Sequence, residues 1–252
     1  MAKHYAISDI HGMYDIYEQV CAMLQPDDIV YFLGDAGDRG YAGFKTIKAI
    51  YNNPQWIYLK GNHEDLMVKG LRQIIKAEEQ GFWDDDFDLW MYNGGRSTYD
   101  FWCDDGADPS WIGKLDKLDL MAEYTNSQGY TFHMSHAGFT CGRQEEMWGD
   151  ELVWSRSHFL DSWNEEEYPK DICIHGHTPM EYLLDRLKWY KAIPDWDPHN
   201  PEARSYCNGH KICIDNGAFY SGATVLYDLD EMTAIQIFDR TFEGEEEDGE
   251  GE

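Results

Sequence analysis

The sequence predicts an α/β (α+β) chain of four layers: two packed mixed β-sheets flanked by helices, with a helical cap inserted between them. Three observations predict this. Apolar runs at His4–Ser8, Ile29–Leu33 and Gln55–Leu59 alternate with helix-like stretches at Met13–Leu24 and Phe44–Tyr51, which is the pattern of a parallel sheet with crossover helices. Beyond about residue 119 the texture turns to short strands separated by polar turns. Between these halves lies an acidic, aromatic, glycine-broken stretch that suits a cap better than a sheet.

The elements follow in order. Met13–Leu24 places Ile16, Val20, Ala22 and Leu24 at helical spacing, and Glu64–Ala77 does the same with Leu66, Met67, Leu71, Ile74 and Ile75. The cap covers 81–119 and includes Asp84-Asp85-Asp86 and Asn93-Gly94-Gly95; its Trp83, Trp90, Trp102 and Trp111 are expected in a local core. Asp108-Pro109 reads as an N-cap followed by proline at the first helical position, opening a helix to about Leu118. Leu120–Thr125 and Tyr130–Ser135 flank Asn126-Ser127-Gln128-Gly129, a hairpin signal. Asp171–His175, Lys211–Asp215, Ala223–Tyr227 and Thr233–Phe238 read as further strands. One domain over 1–240, followed by a tail over 241–252, is the expected organisation.

Composition narrows the function classes. The 252 residues are 42% hydrophobic and 15% aromatic, enough for a large core. The formal net charge is −28, and Thr241–Glu252 holds seven of the acidic side chains and no basic one, so the body alone keeps about −21. Such a body repels nucleic-acid backbones, and no nucleic-acid binding is expected. The Glu/Gly-rich tail lacks apolar area to bury and is expected to be disordered. No apolar run approaches the roughly 20 residues of a membrane span. The six cysteines form no CxxC pair, so free thiols in a cytoplasmic protein are expected, with neither disulfides nor a Cys/His zinc site.

Three blocks carry the chemistry: Asp9-Ile10-His11-Gly12, Gly34-Asp35-Ala36-Gly37-Asp38-Arg39-Gly40 and Gly61-Asn62-His63-Glu64. Each follows an apolar run, at the carboxyl end of a predicted strand, where ligands bind in open α/β sheets. Strand alternation would turn Asp9 and His11 to one side. Asp35 adds a carboxylate with two oxygens for two ions, and Asn62 a neutral oxygen. Such donors suit borderline divalent metals such as manganese, iron or zinc, and two of these close together are a standard device for phosphate ester hydrolysis. Ser135-His136-Ala137-Gly138 and His175-Gly176-His177-Thr178-Pro179 end later strands and offer further imidazoles.

Taken in this order, DxHG, GDxxDRG, GNHE, HAG and GHTP resemble the signature of calcineurin-like metallophosphoesterases. GNHE with GDxxDRG is most similar to the phosphoprotein phosphatase family within them. Asn93-Gly94-Gly95, Trp154-Ser155-Arg156 and Ile214–Ala218 are similar to blocks of its compact bacterial and phage members, and the likeness runs from about residue 4 to 239. It implies the four-layer metallophosphoesterase fold and two divalent ions, manganese favoured over iron or zinc. Asp9, His11 and Asp35 would bind the first ion; Asp35, Asn62, His136 and His177 the second. A hydroxide bridging them would attack phosphorus in line. His63, oriented by Asp38, resembles the general acid, and Arg39 and Arg156 resemble phosphate clamps.

The implied substrates are phosphoserine and phosphothreonine in proteins, or small phosphoesters. Symmetric diadenosine tetraphosphatases share nearly all these ligands but tend to carry GNHD and to lack the Asp38-Arg39 pair in this form. A non-catalytic relative would have lost a ligand or His63, and none is lost. Ala36-Gly37 and Lys60 depart from the common pattern without removing a ligand. His4, His133, His158, His199 and His210 have no ligand-like context, whereas His175, two before His177, is a candidate to support the site.

Overall fold

The computed structural model describes residues 2–81, 85–142, 149–188 and 196–242, apart from the side chains of Glu78 and Gln80. The first sheet is built from β1 (His4–Ile7), β2 (Ile29–Phe32), β3 (Trp56–Tyr58), β9 (Ala223–Asp228) and β10 (Thr233–Phe238), in the order β10-β9-β1-β2-β3. β1, β2 and β3 are parallel, while β9 and β10 run antiparallel to their neighbours. The second sheet holds β4 (Met121–Thr125), β5 (Thr131–Ser135), β6 (Asp171–His175), β7 (Arg204–Tyr206) and β8 (Lys211–Cys213), in the order β4-β5-β6-β8-β7. Its centre, β5-β6-β8, is parallel, and the hairpin of β4 and β5 is antiparallel.

The sheets pack face to face, as expected. Ala6 and Tyr31 from the first and Phe132, Met134, Ile172 and Ile174 from the second share one buried cluster. Alternation puts Tyr5 and Ile7 on the other face of β1, against helices α1 (Tyr14–Met23), α2 (Gly43–Asn52) and α3 (Asn62–Gln80). Both strand faces are therefore covered, which is why these strands read as unbroken apolar runs.

The cap is helical: α4 (Asp86–Trp90), a wide turn over Met91–Gly95, α5 (Arg96–Asp104) and α6 (Ser110–Asp116). Trp90, Trp102 and Trp111 join the core beneath it, as expected; Trp83 and Asp84 lie outside the described residues. α6 begins within one residue of the expected Pro109 and ends at Asp116, and Asp108 accepts from the Ser110 N–H at 2.9 Å, the side-chain bond expected of an N-cap. The short β7 was not anticipated, nor were α7 (Gly149–Trp154), α8 (Met180–Lys188) and α9 (Ala218–Ser221). The tail expectation falls mostly on 243–252, outside the described residues. At its start Thr241 donates to Asp239 and Phe242 packs against the first core.

Candidate metal centre

The parallel strands of both sheets end on one edge. β1, β2 and β3 deliver Asp9 and His11, Asp35, and Asn62; β5 and β6 deliver His136 and His177. β1 already ends at Ile7, so strand alternation does not orient Asp9 and His11 as the sequence suggested. Both instead adopt left-handed backbone, with φ of 52° and 42°. Asp35, Asp38, Arg39 and His177 do the same, giving six of the ten such non-glycine residues among those described. Each costs on the order of 1–2 kcal/mol, and such strain collects at functional sites.

Asp35 is the hinge of the cluster. Its Oδ2 lies 3.7 Å from His11 Nε2, and its Oδ1 lies 3.4 Å from His136 Nε2. Asn62 Oδ1 is 2.9 Å from both His136 Nε2 and His177 Nδ1. The Asp9 carboxylate accepts from Ser8 Oγ and from the His177 N–H at 3.0 Å. The nitrogens turned away from the cluster are anchored: His11 Nδ1 on the Gly37 carbonyl at 3.0 Å, His136 Nδ1 on that of Leu33 at 2.7 Å. Such backbone partners fix ring orientation and leave the opposite nitrogen available.

The electrostatics suit a cation. Burial, with Arg39 and His63 nearby, holds His11 well below its usual range, and burial with His136 and Arg156 lowers His177 to about 2, so both rings are neutral. Burial and Asp35 raise Asp9 to about 6 against the pull of His136, and burial, Asp9 and Asp35 push Asp215 well above the carboxylate range. Against burial, Asp35 and Asp9 raise His136 to about 10, so a bound cation would take the place of that proton. The three buried carboxylates, the imidazoles and the amide oxygen form an oxygen and nitrogen donor set matched to borderline divalent ions.

A second constellation adjoins the first. His63 Nδ1 lies 2.7 Å from Asp38 Oδ2, and the Trp90 indole N–H donates to both Asp38 oxygens at 3.0 and 3.1 Å. Burial opposes charging of His63, but Asp35 and Asp38 outweigh it and its pKa is raised. Gly95 lies against Trp90 so closely that a Cβ there would sit 2.5 Å from Nε1. Gly94, at φ 95°, offers its carbonyl to the Arg39 N–H at 2.9 Å. Those contacts account for Gly94-Gly95 and make Trp90 a part of the site, which its cap-core reading missed. The Arg39 guanidinium lies 3.0 Å from His11 Nε2 and 2.9 Å from His63 Nε2. Arg156 donates to Thr178 and to the His177 carbonyl.

All ten residues singled out in the sequence are thus brought together. Glu64 was quoted without a role: its carboxylate accepts from the Asp35, Ala36 and Gly61 N–H groups and from Tyr58, pinning two of the loops to each other. Lys60 faces Asp65 and Asp116, away from the cluster. His175 also turns away, to Tyr206 Oη at 2.8 Å, with burial lowering it to about 4. A cavity of about 680 Å³ opens over the centre; beyond the metal-facing groups Tyr182, Arg186, Phe219 and Tyr220 line it. These four had no motif to announce them.

Residues 3–181 match the calcineurin-like phosphoesterase family. A symmetrical bis(5'-nucleosyl)-tetraphosphatase of Wigglesworthia glossinidia brevipalpis is 30% identical over 82 residues, which is 31% of this chain and 30% of that protein. The chain therefore spans under a third of that curated relative. A solved structure proposed to be a diadenosine tetraphosphatase shares the fold with a TM-score of 0.59 at 13% identity, covering 94% of this chain and 93% of that one. A serine/threonine phosphatase from Saccharomyces cerevisiae superposes with 0.53 at 13% identity, over 97% and 82%. A cold-active protein-tyrosine phosphatase of a Shewanella species does so with 0.53 at 16%, over 95% and 78%. The chain belongs to the calcineurin-like phosphoesterase family, whose chemistry is phosphoester hydrolysis supported by divalent metals.

Proposed function

We propose that residues 1–240 form one phosphomonoesterase domain acting in the cytoplasm on phosphoserine and phosphothreonine in proteins, with two manganese ions. The observation that carries this reading is the chain of His63, Asp38 and Trp90. A serine or threonine alkoxide is a poor leaving group and must be protonated as the P–O bond breaks. An imidazole whose pKa is raised by buried carboxylates is suited to supply that proton. A nucleotide phosphate leaves without such help.

In this reading Asp9, His11 and Asp35 hold one ion, and Asp35, Asn62, His136 and His177 hold the other. When bound, the ions supply an activated water and a charge clamp for the phosphoryl oxygens. Asp38 fixes the His63 ring through Nδ1, so that Nε2 presents the proton to the leaving oxygen. Arg39 and Arg156 orient the phosphoryl oxygens by donating to them.

A second reading, hydrolysis of a dinucleoside tetraphosphate, is favoured by the curated relative and by the aromatic wall of Tyr182, Phe219 and Tyr220 beside Arg186, which suits a base and further phosphates. Side-by-side assays with Mn²⁺ on phosphoserine peptides, an aryl phosphate and diadenosine tetraphosphate separate the two. A higher kcat/KM on the peptides supports the phosphatase reading, and cleavage of the dinucleotide far faster than the peptides overturns it.

A further inference from the structure

On the outer face of the second sheet three side chains of different chemistry converge. Their donor atoms, from His133, Cys141 and Asp171, all lie within 4.8 Å of one another. His133 sits on β5. Asp171 opens the neighbouring β6, paired with Thr131, so it projects on the same face two positions away. Cys141 comes from the segment that leaves β5 through His136, and packs against Phe139, Trp163 and Cys173. From the other side, Glu123 on β4 stands directly opposite His133. Its Oε1 is 2.7 Å from His133 Nδ1, which leaves Nε2 directed at Asp171 Oδ1 (2.7 Å) and at Cys141 Sγ (3.9 Å).

We propose that His133 Nε2, Cys141 Sγ and Asp171 form a second metal site, separate from the catalytic centre and selective for a thiophilic divalent cation of the zinc class. A tetrahedral zinc ion separates nitrogen and sulfur donors by about 3.6 Å, and nitrogen and oxygen donors by about 3.4 Å. The present spacings reach those values through sub-ångström shifts. Glu123 orients the ring as the outer carboxylate of a carboxylate–histidine–metal triad. His133 and Cys141 are only 6% and 5% exposed, while the Asp171 and Glu123 side chains are 24% and 60% exposed, so the site is closed on the protein side and open to a water ligand on the other. The catalytic cluster holds only oxygen and nitrogen donors and suits Mn²⁺; one thiolate here reverses that preference. A bound ion would staple β5, β6 and the segment leading away from His136. Its three ligands lie on three separate segments with no CxxC spacing, which is why the sequence pattern does not show them.

A proton competes for the same place. Burial opposes charging of His133, yet Cys141, Asp171 and Glu123 outweigh it and the ring rises to about 9. The cation must displace that proton, so binding tightens with increasing pH.

The test is spectroscopic and does not depend on the substrate reading. Metal-free full-length protein is saturated with Mn²⁺ and then titrated with Co²⁺ at about pH 8. The expected result is one equivalent of Co²⁺ with a thiolate-to-metal charge-transfer band, bleached by Zn²⁺. Cys141→Ser should abolish the band while keeping Mn²⁺-supported hydrolysis, and Glu123→Gln should weaken Co²⁺ binding about 10–100-fold. Should Cys141→Ser fail to fold, Asp171→Asn must weaken the band instead. Absence of a thiolate band in the folded wild type would overturn the proposal and leave His133 as an ion-pair hub, as would a band undiminished in Cys141→Ser or, where that variant does not fold, in Asp171→Asn.

Discussion

His177 and His175 lie two residues apart, are both buried, and are both pushed far below the usual imidazole range, to about 2 and about 4. They nevertheless belong to different regions. His177, with His11 and His136, stands beyond the strand ends and faces carboxylates and the Asn62 oxygen. His175, with His158, lies behind the second sheet among the Phe159 and Tyr206 rings, bonded to a phenol and a backbone carbonyl. Burial and a depressed imidazole are common to His177 and His175, so neither property marks a ligand. What separates them is the group each inward nitrogen meets. Where that group is a carboxylate or amide oxygen shared with other donors, a cation completes the set; where it is a hydroxyl or carbonyl, the ring is already satisfied.

The largest effect should come from the one histidine here paired with a carboxylate for proton transfer. His63→Asn should lower kcat on a phosphoserine peptide by about 10²–10⁴-fold, and by much less on an aryl phosphate whose leaving group needs no proton. An equal loss on both substrates would remove His63 from the acid role. His175→Phe, the matched change in the other region, should leave kcat/KM unchanged.

Trp90→Phe keeps most of the ring volume and deletes the only indole donor to Asp38 among the described residues. A fall in kcat of about 10–100-fold is expected, in line with loss of an orienting hydrogen bond, with KM held. An unchanged kcat would return Trp90 to packing alone.

The smallest effect concerns stability. His158 titrates near 6.5 when unfolded, whereas burial, with His175 and Lys211 nearby, holds it well below that when folded. The unfolded chain then binds more protons in acid, so this contribution is fully present above pH 6.5 and is lost as pH falls toward the folded value. His158→Phe should flatten the decline in unfolding free energy below pH 6.5 by up to about 1.4 kcal/mol per pH unit. Urea midpoints across that range would show it; parallel curves would contradict it.

The centre was unusually legible because its donors sit in short blocks directly after strands: Asp9, Asp35, Asn62, His136 and His177 could be placed from local pattern and order. The Asp9–His11 orientation was read for the wrong reason, since a left-handed backbone after β1 does what alternation was expected to do. His175 was misplaced because strand alternation stops at the end of β6, before His177. Trp90 could not be assigned from sequence, since the contact to Asp38 joins positions 52 residues apart through a glycine-tight cap. The short α7, α8, α9 and β7 give too few residues for a period to emerge. Tyr182, Arg186, Phe219 and Tyr220 line the cavity only once those pieces are placed.

The central claim is that one carboxylate, Asp35, joins two donor sets into a two-ion centre. Manganese content per chain, measured after dialysis of wild type, Asp35→Asn and His175→Phe, tests it most directly. The account predicts two ions in wild type and in His175→Phe and none firmly held in Asp35→Asn. A single ion in wild type, or two retained by Asp35→Asn, would contradict it.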